Sequence, residues 1–136
     1  MNFIINKIQH IGIPVTDLEK SETFYEKLGF INVMTSSFDY NGGKGNVSMM
    51  QSGAVIIEIY QMPEAELVTI RERKDGHVDH MAFDVEDIKV AFESLKNAGF
   101  NVLEEQPVFL PFWKNGCQYF NITGPDGERL EFNQIL

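Results

Sequence analysis

The sequence predicts an α+β fold made of two tandem β-α-β-β-β modules. Three observations predict it: a phrase repeated 70 residues apart, a glycine stop after each copy, and matching strands further on. Residues 10–30 read HIGIPVTDLEKSETFYEKLGF, and residues 80–100 read HMAFDVEDIKVAFESLKNAGF. They align without a gap, with identity at His10/His80, Val15/Val85, Asp17/Asp87, Gly29/Gly99 and Phe30/Phe100. A repeat with the same order of elements in each copy is the signature of a duplicated structural unit.

Each module opens on a strand. Ile8, Ile11, Ile13 and Val15 fill residues 8–15 before an acidic turn. Thr16 and Glu19 have capping-box spacing, which marks the start of a helix. In the second copy Ile88, Ala91, Phe92, Leu95 and Ala98 fall on one helical face. Gly29 and Gly99 stand where a helix ends on a left-handed residue. Residues 30–33 and 100–103 then begin new strands.

The modules continue as hairpins. The first has VSMM (47–50) and AVIIEIY (54–60), parted by Gln51-Ser52-Gly53. The second has QYFNIT (118–123) and RLEFNQ (129–134), parted by Gly124-Pro125-Asp126-Gly127, which is strong turn chemistry. VIIEIYQ and RLEFNQ correspond, setting Glu58 against Glu131 and Gln61 against Gln134 at an offset of 73. The modules therefore span residues 6–60 and 77–135 of one domain. Residues 61–76 join them, with Pro63 near one end and Asp75-Gly76 at the other.

Composition narrows the function. At 136 residues with eleven Phe, the chain can bury a core without staples. A net charge of −9 argues against nucleic-acid backbones as partners. The single cysteine, Cys117, excludes an internal disulfide and a CxxC zinc site, and reads as a small buried apolar residue. No targeting signal is read at the start and no apolar run suggests a membrane span, so a cytoplasmic protein is expected.

Four polar residues interrupt apolar strands: His10, Glu58, His80 and Glu131. Taken singly, each fits a hydrogen-bonded core histidine or a solvent-facing carboxylate. Taken together they are two equivalent pairs, one per module, and a carboxylate inside a strand core is costly unless paired or bound to a cation. Two imidazoles with two carboxylates suit a divalent transition metal such as Zn, Ni, Co, Mn or Fe. His77, in GHVDH, has no counterpart in the first module and reads as exposed.

These residues carry a resemblance over residues 6–135. HIGIPVTDLEKSETFY with LGF, VIIEIY, GHVDHMAFDVEDI and GPDGERLEF resemble the vicinal oxygen chelate superfamily of glyoxalases, bleomycin-resistance proteins and dioxygenases. The likeness is greatest to glyoxalase I (lactoylglutathione lyase)-type members, because carboxylates stand at both the second and fourth ligand positions. Methylmalonyl-CoA epimerases tend to carry Gln where Glu58 stands. The resemblance implies that the paired modules form an incomplete, U-shaped barrel around a metal held by His10, Glu58, His80 and Glu131. It implies a lyase or isomerase that moves a proton next to a carbonyl through a metal-bound enediolate. Glu131 is then the principal base, with Glu58 the other catalytic carboxylate. It further implies a small-molecule substrate and a homodimer.

The departures from that pattern bear on substrate. Glutathione-using relatives place an Arg four residues after the first ligand, where this chain has Pro14. They also place an Asn shortly after the second, where it has Tyr60-Gln61-Met62. Both argue against glutathione dependence. Phe109, Phe112 and Trp113 in QPVFLPFWKNGCQYF are expected to wall a substrate pocket, or else to tuck into the core or a dimer interface. Two alternatives accompany this reading: a non-catalytic, drug-sequestering protein of the bleomycin-resistance type, and a thioester epimerase.

Overall fold

The computed structural model describes residues 3–27, 29–73, 78–123 and 129–136. In order the elements are β1 (Ile5–Pro14), α1 (Leu18–Lys27), β2 (Ile31–Tyr40), β3 (Gly43–Ser52) and β4 (Val55–Gln61). A 3-10 turn (Glu64–Glu66) and α2 (Leu67–Arg71) follow, then β5 (His80–Val85) and α3 (Ile88–Asn97). β6 (Val108–Leu110), β7 (Cys117–Thr123) and β8 (Arg129–Ile135) complete the chain. The α+β class and the repeated element order agree with the sequence. The Gly124–Gly127 turn, Asp75-Gly76 and His77 lie outside the described residues.

Packing divides the chain into two compact units. The first is His10–Asp79; the second is His80–Leu136 with the residues up to Gln9. β1 changes unit between Gln9 and His10. Its early part is tied to the second unit by Asn6 Nδ2, which donates to Asp84 Oδ2 at 3.0 Å.

In the first unit β1 runs parallel to β4, with Gly12 opposite Glu58 and Ile13 opposite Ile59. β4 is antiparallel to β3, and β3 to β2. The β2–β3 hairpin turns through Asn41 and Gly42, both at positive φ (47° and 75°), as a two-residue loop matched to strand twist requires. Leu18 and Tyr25 of α1, with Ile13, Val15 and Phe30, pack on Met50, Ile57 and Ile59.

The second unit repeats the plan. β5 is parallel to β8, with Ala82 opposite Glu131, while β8–β7 and β7–β6 are antiparallel. Ile88, Ala91, Phe92 and Leu95 of α3 pack on Phe120, Ile122 and Phe132. Phe120 and Phe132 stack at 5.2 Å, and Phe92 meets Phe120 edge-on at 5.2 Å.

The helix ends are duplicated too. Gly29 and Gly99 adopt φ of +91° and +83°. Phe30 N–H donates to Tyr25 O and Gly29 N–H to Glu26 O; Phe100 N–H donates to Leu95 O and Gly99 N–H to Lys96 O. Both ends are Schellman motifs, and the ring contact of Tyr25 with Phe30 at 5.7 Å supplies the accompanying apolar contact in the first.

Two local expectations are corrected. The residue capping α1 is Asp17 rather than Thr16: Asp17 Oδ1 accepts Lys20 N–H at 3.0 Å. Asp87 does the same for α3, accepting Lys89 and Val90 N–H at 3.0 Å. Each aspartate immediately precedes its first helical residue, within reach of the free N–H groups, and its charge suits the helix N-terminus.

The second correction concerns the strand expected from residue 100. Among the described residues a single bridge forms there, Val102 with Ile122, and the strand itself is β6. The cause lies in Glu104, whose Oε2 accepts Asn121 N–H at 2.6 Å and whose Oε1 accepts Asn121 Nδ2 at 2.8 Å. A side chain takes the donor that a ladder would have used. The segment between the modules carries the 3-10 turn and α2, anchored by buried Leu67.

Candidate functional site

Each unit carries one histidine and one glutamate of the candidate site. In the first, His10 lies on β1 two residues before Gly12, the register partner of Glu58. In the second, His80 lies on β5 two residues before Ala82, the register partner of Glu131. Side chains in a strand alternate with a period of two, so the parallel pairing turns each histidine and its glutamate to the same face.

The side chains meet. His10 Nε2 stands 3.5 Å from Glu58 Oε2, and His80 Nε2 stands 3.4 Å from Glu131 Oε2. All four residues are buried, His10 at 2% exposure and Glu131 at 8%. These separations are longer than an ordinary N–H···O hydrogen bond. Donor atoms about 2.1 Å from a shared ion, at angles between tetrahedral and octahedral, lie about 3.0–3.4 Å apart. Each pair therefore has the spacing of one edge of a coordination shell. Its imidazole nitrogen and carboxylate oxygen are the donor types a borderline divalent metal takes.

The aromatic segment of the second unit is more varied. Phe112 is buried, Phe109 is 54% exposed, and Trp113 is half-buried. Trp113 takes φ +66°, rare for a bulky residue, and its buried Nε1 has no hydrogen-bond partner among the described residues. Gly116 makes room for the Phe109 ring: a Cβ there would fall 2.3 Å from it. Cys117 is buried.

Three residues carry more than sequence reasoning assigned them. Gln61 and Gln134, matched by the repeat, accept the first helical N–H of α1 and α3 at 2.8 and 3.0 Å. Asn133 donates through Nδ2 to Glu131 Oε1 at 2.8 Å. The signal for Asn133 was its place two residues beyond Glu131 on one strand, which puts both on one face. A separate hollow of about 530 Å³ lies beside α1 in the first unit, lined by Glu22, Thr35, Asn46 and Gln61 among others. Neither His10 nor Glu58 lines it.

Comparison with known proteins bears on family and fold. The sequence profile of the Glyoxalase/Bleomycin resistance protein/Dioxygenase superfamily matches residues 7–132. The uncharacterized protein YwbC of Bacillus subtilis (strain 168) is 31% identical over 130 residues, covering 94% of this chain and 97% of that protein. The crystal structure of methylmalonyl-CoA epimerase from Mycobacterium tuberculosis superposes with a TM-score of 0.78 at 17% identity, over 100% of this chain and 92% of that one. A variant methylmalonyl-CoA epimerase of Streptomyces coelicolor, in complex with 2-nitronate-propionyl-CoA, gives 0.77 at 19% identity, over 96% and 98%. At such identities the structural likeness shows the fold alone. With the family profile spanning nearly the whole chain, this protein belongs to the glyoxalase/bleomycin resistance/dioxygenase, or vicinal oxygen chelate, superfamily.

Proposed function

We propose that this chain is a divalent-metal-dependent lyase or isomerase of the glyoxalase I type, moving a proton next to a carbonyl. One observation carries the reading: the same buried His–Glu pair, at the same strand register, occurs once in each unit. In this reading His10, Glu58, His80 and Glu131 are metal ligands. The donor set suits Ni, Co, Zn, Mn or Fe. When bound, the ion supplies Lewis-acid stabilisation of negative charge developing on vicinal substrate oxygens.

The residues of the chain do the rest. The histidines give neutral nitrogen donors and the glutamates two negative charges. Glu131 takes a proton from the carbon beside the carbonyl and returns it to the neighbouring carbon, with Glu58 as the second catalytic carboxylate. Phe109, Phe112 and Trp113 wall the pocket and exclude water. Pro14 in place of an arginine supports a substrate without glutathione. The protein works in the cytoplasm as a homodimer on a small molecule.

A second reading, a thioester epimerase, is favoured by the likeness to methylmalonyl-CoA epimerases. It shares the metal and the proton transfer and differs in substrate.

The test is metal content by mass spectrometry on untagged protein beside His80→Ala. It is followed by assays of hemithioacetals and acyl-thioesters with each of the five ions, reading exchange of the substrate proton with deuterated water. About one equivalent of metal, lost in the variant, with turnover of a hemithioacetal, is expected. Turnover of thioesters alone moves the assignment to the epimerase. Protein that takes up no metal yet binds aromatic ligands tightly overturns the enzymatic reading for that of a sequestering protein.

A further inference from the structure

Glu131 does not stand alone on β8. Asn133 follows two residues later on the same face and is 4% exposed. Its Nδ2 donates to Glu131 Oε1 at 2.8 Å and lies 4.0 Å from Cys117 Sγ. The amide nitrogen is the donor, since the opposite orientation would set a carbonyl oxygen against a carboxylate oxygen, two acceptors together. The other carboxylate oxygen, Oε2, is the one 3.4 Å from His80 Nε2. The two oxygens of Glu131 therefore have different neighbours.

We propose that Asn133 is the positioning residue for Glu131, holding Oε1 so that Oε2 is the oxygen presented for metal ligation and proton transfer. The inference rests on the proposed function above. A carboxylate's last torsion is broad and nearly two-fold, so a free Glu offers either oxygen. A buried amide donor on one of them removes that freedom.

Two further observations favour this role. Asn133 Oδ1 is buried and has no hydrogen-bond partner among the described residues. A residue kept only for stability would not leave an acceptor unsatisfied there, because an apolar side chain of the same size avoids the penalty. The bond to Glu131 is what the amide contributes. Second, the repeat offset that matches Glu131 with Glu58 matches Asn133 with Tyr60, which has no amide. The two glutamates are thus set in different surroundings within a duplicated frame. The glutamate beside the amide is the one assigned as principal base.

The experiment compares wild type with Asn133→Leu, which removes the donor at nearly constant size, and Asn133→Val, which removes it with a smaller apolar side chain. Co(II) serves as the probe. Affinity is read by chelator competition, geometry by the visible absorption of bound Co(II), folding by circular dichroism, and kcat and KM are determined separately. Loss of a group that orients a metal ligand lowers metal affinity by about 10–100-fold. The expected result is a loss of that size with an altered Co(II) spectrum in a folded Asn133→Leu protein, and a lowered kcat with little change in KM. Asn133→Val carries the spectral test if the leucine variant does not fold. Folded variants with wild-type affinity and spectrum overturn the positioning role and leave the metal site standing. Wild type that binds none of the ions overturns the functional reading, and the positioning role with it.

Discussion

Gln134 Oε1 accepts the backbone N–H of Ile88 at 3.0 Å, joining the end of β8 to the first turn of α3. Gln61 Oε1 accepts Leu18 N–H at 2.8 Å in the same way in the first unit. These glutamines stand three residues after Glu58 and Glu131, so the strand that carries the carboxylate also pins the helix. Gln134 adds a second bond, Nε2 to Glu86 O at 2.8 Å. Gln61→Ala is expected to lose about 1 kcal/mol of stability, within the range of a lost capping bond. Gln134→Ala should lose more, because it removes two bonds. Urea unfolding of both variants checks the order.

Glu104 is the reason residue 100 does not start a strand. Its carboxylate grips Asn121 by the main-chain N–H and by the side-chain amide. Glu104→Ala leaves a part-buried N–H without its acceptor, an expected cost of about 1–3 kcal/mol. Hydrogen exchange at the Asn121 amide should accelerate in this variant, and unchanged exchange would contradict the assignment.

The two cores differ at equivalent places. Phe92 of α3 and Glu22 of α1 are 70 residues apart, the offset of the repeat. Phe92 packs on Phe120, whereas the Glu22 carboxylate accepts from Ser48 Oγ and from Asn32 Nδ2. Ser48 is opposite Ile59 as Phe120 is opposite Phe132, so an aromatic contact in one unit is a hydrogen bond in the other. Phe92→Ala is expected to cost about 3–5 kcal/mol, through lost burial and a cavity. Glu22→Ala should cost about 1–3 kcal/mol, the scale of a hydrogen bond to a charged group. Thermal unfolding of the two variants distinguishes them.

The two proposed histidine ligands should behave as equivalents. His10→Ala and His80→Ala are each expected to lower metal affinity by more than about 100-fold, beyond what a supporting residue contributes. Glu58→Gln and Glu131→Gln should lower it as well, with Glu131→Gln also abolishing proton exchange. Calorimetric titration with Zn or Co, beside the exchange assay, checks both parts. Equal metal binding by wild type and His10→Ala would remove His10 from the ligand set.

Much of the candidate site was legible in the chain. The repeat put His10 against His80 and Glu58 against Glu131, and strand periodicity is enough to say that such residues share faces once the strands pair. The pairing itself lay outside the sequence. That β1 meets β4 in parallel with Gly12 opposite Glu58, and β5 meets β8 with Ala82 opposite Glu131, is long-range register. Asn133 went unread for the same kind of reason: an asparagine near a strand end signals a turn as readily as a support for its neighbour.

The sequence by itself determined the α+β class, the repeated element order and the helix stops at Gly29 and Gly99, and it singled out the candidate ligands. Each of these rests on a local rule: hydrophobic period, left-handed glycine, or a charged residue in an apolar run. The tertiary structure alone decided which oxygen of Glu131 faces His80, which aspartates cap the helices, and why residues 100–103 pair with β7 through one bridge and not a full strand. It also decided where β1 leaves one unit for the other, between Gln9 and His10. Those outcomes depend on competition between backbone and side-chain partners far apart in sequence, and only the folded chain brings the competitors together.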